Sequence, residues 1–151
     1  MEKYDSTAET LFHIKRVNEL LIFAALEILK RAQVHDKSKL ESPEKELFDE
    51  LTPLLKNLTF GSKEYQDSLD RLKPALDHHY ANNSHHPQHY KHGIDGMDLF
   101  DVLEMYFDWV AAGERTKNGN IKASIEINKD RFKMSEQILN IFRNTANKFN
   151  Y

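Results

Sequence analysis

"DLFDVLEMYFDWVAA", residues 98–112, decides the fold class. Its apolar residues recur at helical spacing and never alternate at period two for long, so it reads as a helix capped by Asp98. Asp101, Glu104 and Asp108 follow at i, i+3 and i+7 and share one face. Leu103, Phe107, Val110 and Ala111 flank them. An unpaired carboxylate in such surroundings is strongly disfavoured or takes up a proton. Asp101 has a structural explanation as the N3 partner of Asp98. Glu104 and Asp108 have none, and Asp108, beside Trp109, is the strongest candidate for a functional carboxylate.

The same periodicity covers most of the chain, which has only five glycines and four prolines. A first helix opens at Ser6, with Glu9 closing a capping box, and its inward stripe is Ile14, Val17, Leu21, Ala24 and Ile28. "VHDKSKLES", residues 34–42, breaks it, and Ser42 and Pro43 read as N-cap and first residue of the next helix. That helix buries Leu47, Phe48 and Leu51 and should kink or end at Pro53. After "FGS" at 60–62 a third helix buries Tyr65, Leu69, Leu72 and Leu76, with a kink expected at Pro74. An irregular loop spans 84–97, "GERTKNGN" at 113–120 is a turn, and helices close the chain at 122–131 and Ser135–Lys148. The expectation is an all-α protein: one domain over 1–151, a compact bundle of six or seven helices.

Composition narrows the chemistry. A net charge of -3, with basic residues scattered among acidic ones, gives no support to nucleic-acid binding. The absence of cysteine excludes disulfides, thiolate metal sites and cysteine nucleophiles. The apolar run "LLIFAAL" is far short of a membrane span, and "MEKYDSTAET" lacks the apolar core of a signal peptide. The expected location is cytoplasmic. Oligomeric state stays open, a homo-oligomer included.

Any metal site must therefore use imidazole and carboxylate, donors suited to Mn, Fe, Co, Ni or Zn. "HHYANNSHHPQHY", residues 78–90, carries five histidines. His79 continues the Leu72–Leu76 stripe and Asn83 continues it again, whereas His78 is a full step off that face. His13 lies on the inward face of the first helix, as either a hydrogen-bonded core histidine or a ligand. His35 and Asp36 adjoin at a helix end, where both side chains can bend toward one ion. Lys39 is close enough to reach an anion held there.

His13, then His35-Asp36-Lys37-Ser38-Lys39, then Asp108 resembles the signature of the HD-domain superfamily of helical, metal-dependent phosphohydrolases. Carried over by motif, the ligands are His13, His35, Asp36 and Asp108. His79 and the pair His85-His86 are similar to the extra histidines of two-metal branches. A narrower resemblance is to a phage and bacterial branch reading H…HDxSK…HxxxNxHH…EMxxDW. This chain matches it at His35–Lys39, His79–His86 and Glu104–Trp109. Serine stands at 38, where many of the better-known enzymes have glycine, and the branch implies no particular substrate.

The resemblance implies one or two divalent ions and a small phosphorylated substrate such as a nucleotide. Lys39, with Arg16, would neutralise phosphoryl charge, and Glu104 would orient the water or a ligand imidazole. Arg16 reads equally as a solvated surface residue. HD-fold di-iron oxygenases and a non-catalytic, metal-stabilised binding module are the alternatives. The shared site also carries a geometric condition. His13 and His35 stand about 33 Å apart on an unbroken helix, so the chain must turn between them. The turn is expected at residues 21–28, although no glycine or proline marks it.

Overall fold

The computed structural model describes residues 4–58, 62–115 and 119–151, and among them it is all-α, with no strand. The stop expected at Phe60 and Gly61, and residues 116–118 of the expected turn, lie outside the described residues. Six helices run in order: α1 Thr7–Val34, α2 Glu44–Asn57, α3 Lys63–Asn82, α4 Leu99–Glu114, α5 Ile121–Arg131 and α6 Glu136–Lys148. Short 3-10 turns occupy Lys37–Leu40, Pro87–His89 and Gly93–Gly96. No described helix is long and apolar enough to cross a membrane. Residues 1–34 and 35–151 form two compact units.

The first unit is α1. It is one uninterrupted helix of 28 residues, so the turn expected at 21–28 is absent. The physical reason lies in the sequence, which has no glycine or proline between 7 and 34 to interrupt the backbone hydrogen bonds. The capping also differs from the expected Ser6–Glu9 box. The Asp5 carboxylate accepts from the Thr7 amide and hydroxyl, and Glu9 accepts from the Tyr4 hydroxyl. No residue of α1 is buried, including the expected stripe of Ile14, Val17, Leu21, Ala24 and Ile28.

In the second unit, α4, α5 and α6 enclose the larger core of Met105, Tyr106, Val110, Ile125, Leu139 and Phe142. A smaller core joins α2 and α3 through Leu51, Leu72 and Ala75. Both helices run on through their prolines, Pro53 and Pro74. Pro53 removes one backbone donor from α2, on a turn whose Asp49 side chain is exposed. Helix α2 begins at Glu44, one residue after the start expected at Pro43.

The histidine loop follows α3, and Asp101 fixes it to α4. Asp98 and Asp101 form the expected capping box. Asp101 is 1% exposed and its carboxylate also accepts from Ser84 Oγ at 2.6 Å and Tyr90 Oη at 2.5 Å. One acid thus satisfies a helix end and two loop hydroxyls. Asp101→Ala strips the cap and orphans buried donors, so it should destabilise the protein by about 3 kcal/mol. Denaturant unfolding measures this, and a loss under about 1 kcal/mol would mean the loop is held elsewhere.

Candidate metal centre

The break after α1 aims the first two candidate ligands. Asp36 has φ 54, in the left-handed region that aspartate tolerates better than most side chains. This reversal swings its carboxylate inward beside His35. Lys39 Nζ donates to Asp36 Oδ2 at 2.5 Å across the following 3-10 turn. The other oxygen, Oδ1, lies 3.3 Å from His79 Nε2 and 3.4 Å from His85 Nε2.

Helix α3 brings His79 in on its buried face, continuing Leu72 and Ala75. His79 and His85 are each 2% exposed. His86 Nε2 stands 2.8 Å from His79 Nε2. On the other side, His35 Nε2 is 3.6 Å from Asp36 Oδ2 and 3.7 Å from Asp108 Oδ1. The result is three adjoining groups, Asp36–His79–His85–His86, His35–Asp36–Asp108 and His35–His85–Glu104. Within each, donor atoms lie within 4.8 Å of one another, and Asp36 belongs to the first two.

Two further carboxylates determine which imidazole nitrogens face this centre. Glu44, 0% exposed, accepts from His79 Nδ1 at 2.8 Å and from His78 Nδ1 at 2.7 Å. Glu104 lies 2.8 Å from His35 Nδ1 and 3.2 Å from His85 Nδ1. A carboxylate on Nδ1 fixes the tautomer that leaves Nε2 bare for a cation. Asn83 adds to the frame, donating to Ser38 Oγ and to the His79 carbonyl, each at 2.8 Å. Ser38 therefore has a structural task where glycine would offer no acceptor. Behind Asp108, Trp109 stacks on Phe132 with ring centres 6.0 Å apart, fixing that turn of α4.

A divalent cation fits these donors. Asp36 Oδ1 and His85 Nε2 are buried and face each other at 3.4 Å without a well-formed hydrogen bond to any described residue, and such weakly satisfied groups are costly unless something coordinates them. Ligands about 2.1 Å from one ion stand roughly 3 to 4 Å apart, and neighbouring donor atoms here are 2.8 to 3.7 Å apart. Protonation follows the same geometry. Asp108 and then Glu104 stabilise the imidazolium of His35 and push its pKa up to about 10. Burial pushes the Asp36 carboxyl up, but His79, His85 and Lys39 outweigh it and hold the group far below the usual range. Burial and the neighbouring His85 and His79 push His86 down to about 3, keeping it neutral.

Six of the seven expected ligands therefore converge: His35, Asp36, His79, His85, His86 and Asp108. His13 does not join them. On the straight α1 it lies about 31 Å along the axis from Val34, the residue bonded to His35, so it cannot share an ion with the doublet that follows. Arg16 pairs with Glu19 at 3.1 Å on the exposed surface of α1, the solvated alternative. His89 and His92 are exposed, as their spacing past Pro87 implied. Glu104 holds imidazoles, one of its two expected tasks. Sequence reasoning missed Glu44, which looks like any acid in the first turn of a helix. Its partners stand 34 and 35 residues away, and no local pattern links them.

A family model matches residues 2–148, and the chain belongs to that family, DUF5662, a family of unknown function. No curated protein and no solved structure matches the chain.

Two outcomes follow from the site. Because His35 must lose its proton to ligate an ion, metal uptake near pH 7 should release protons. Affinity should then rise with pH toward 10 by about tenfold per unit for each proton displaced. Calorimetry in buffers of different ionisation enthalpy reads this, and a pH-independent affinity would contradict it. Glu44→Gln should weaken metal binding about 10- to 100-fold while the helical spectrum persists. Unchanged affinity would reduce Glu44 to a core residue.

Proposed function

We propose that the protein is a metal-dependent phosphohydrolase of the HD-domain type, acting in the cytoplasm on a nucleotide or another small phosphoester. The observation that carries this reading is the pair of adjoining ligand groups sharing Asp36, with Lys39 on its outer oxygen. Bound there, one or two divalent ions supply Lewis acidity, which acidifies water and polarises a phosphoryl oxygen.

The chain's own residues do the rest. His35, Asp36, His79, His85, His86 and Asp108 hold the ions. Glu44 and Glu104 keep the imidazoles turned toward them. Lys39, 40% exposed, is placed to meet the anionic substrate as it approaches and to offset charge growing on its oxygens. The surroundings suit a hydrophilic ligand, since the partly exposed members Asp108 and His35 give the centre an open side. Four imidazoles against two carboxylates also favour a second reading, a di-iron centre for oxygen chemistry. Iron in the purified protein with a visible colour, and no phosphoester turnover, would decide for it.

The test uses elemental analysis with a hydrolysis panel of nucleotides and small phosphoesters. Asp36→Asn, which keeps the left-handed backbone, should lose most of its metal and with it turnover. Lys39→Ala should keep its metal and lose about 10²- to 10³-fold in rate. No hydrolysis by metal-replete wild-type protein across the panel, or full turnover in Asp36→Asn, would overturn the proposal.

A further inference from the structure

A cleft of about 820 Å³ opens between the α5–α6 turn and the loop after the histidine pair, within the size range of small-molecule sites. Its polar lining includes Arg131, Lys133, His92 and Ser135, and Met134 and Ile138 supply apolar surface. Pro87 and Gln88, next in the chain after His86, line it as well, but none of the six converging ligands does.

The cations here differ from their neighbours in pairing. Nearby Lys129 donates to Glu136 at 2.9 Å, and Arg143 to Glu126 at 2.7 Å. Arg131 instead rests on the Phe132 ring at 4.8 Å, and neither it nor Lys133 makes an ion pair among the described residues. Asp95 is the sole acid in the lining and pairs with neither of them.

The backbone adds a second, independent feature. Met134 N donates to the Lys129 carbonyl at 3.0 Å and Phe132 N to the Asn128 carbonyl at 3.0 Å, closing the end of α5. In that closure Lys133 takes φ 50, the position where glycine is usual. A lysine there is strained, and it sets an ammonium on the cleft. Ser135 caps α6 without using its hydroxyl, which stays available to a ligand.

We propose that this cleft binds a small phosphate monoester or phosphonate. Arg131, Lys133 and His92 would hold the dianionic head with Ser135 Oγ, and Met134 and Ile138 would receive the organic body. An arginine fork beside a point-charge lysine suits a head with three acceptor oxygens better than a carboxylate. The site is separate from the metal centre and does not depend on the activity proposed for it.

Calorimetric titration of the full-length protein, as purified, with phenylphosphonate tests the proposal. Wild type should show saturable binding, and Arg131→Gln with Lys133→Gln should weaken it about tenfold or more. Ser135→Asp should also weaken it by repelling the head, while keeping a good helix cap and hence the fold. Asp36→Asn should bind as wild type does, which separates this cleft from anion capture at the metal centre. Absence of saturable binding, wild-type affinity in either cleft variant, or loss in Asp36→Asn would overturn the assignment.

Discussion

Asp36 is a carboxylate pulled out of water and surrounded by imidazoles. One of its oxygens lies within 3.4 Å of two Nε2 atoms, and its other oxygen takes the Lys39 ammonium. Burying that charge is costly unless opposite charge meets it. Every element of the second unit that reaches the site answers this constraint. The reversed backbone at Asp36 presents the acid, α3 delivers His79, the loop delivers His85 and His86, and α4 delivers Asp108 from the far side. Donor atoms of four histidines and two aspartates are gathered in one place, an arrangement that could hold a cation.

Beneath this shell lie acids that do not face the centre. Glu44 and Glu104 each serve two histidines through Nδ1, so four of the rings are oriented by only two carboxylates. Asp101 works at the next level out, holding the loop through Ser84 and Tyr90 while completing the α4 cap. Three acids at helical spacing on α4 thus divide the work: Asp101 anchors the loop, Glu104 orients imidazoles and Asp108 faces His35. The separation follows from depth along one helix face, and it explains why a single apolar stretch tolerates so much negative charge.

Much of this was legible in the sequence. Helical periodicity and caps placed α4 and α6 nearly to the residue, and the stripe through Leu72 and Leu76 placed His79 in the interior. Motif order singled out six residues whose donor atoms the structure brings together. The failure at His13 is instructive, because the residues themselves argued against it. An unbroken run without glycine or proline favours a straight helix, and likeness to a family asked for a turn that the run does not contain. Glu44 was illegible for a different reason. Its task depends on α2 crossing α3, a contact between residues more than thirty positions apart. Short-range spacing carries no trace of it.

The central claim is that a metal ion belongs among Asp36, His79, His85 and their neighbours, and anomalous diffraction from crystals of the metal-replete protein tests it most directly. A peak is expected within about 2.0 to 2.3 Å of an Asp36 oxygen and the Nε2 atoms of His79 and His85, with Glu44 still on His79 Nδ1. A protein saturated with metal whose peak lies elsewhere, with Asp36 hydrogen-bonded only to its histidines and Lys39, would contradict it.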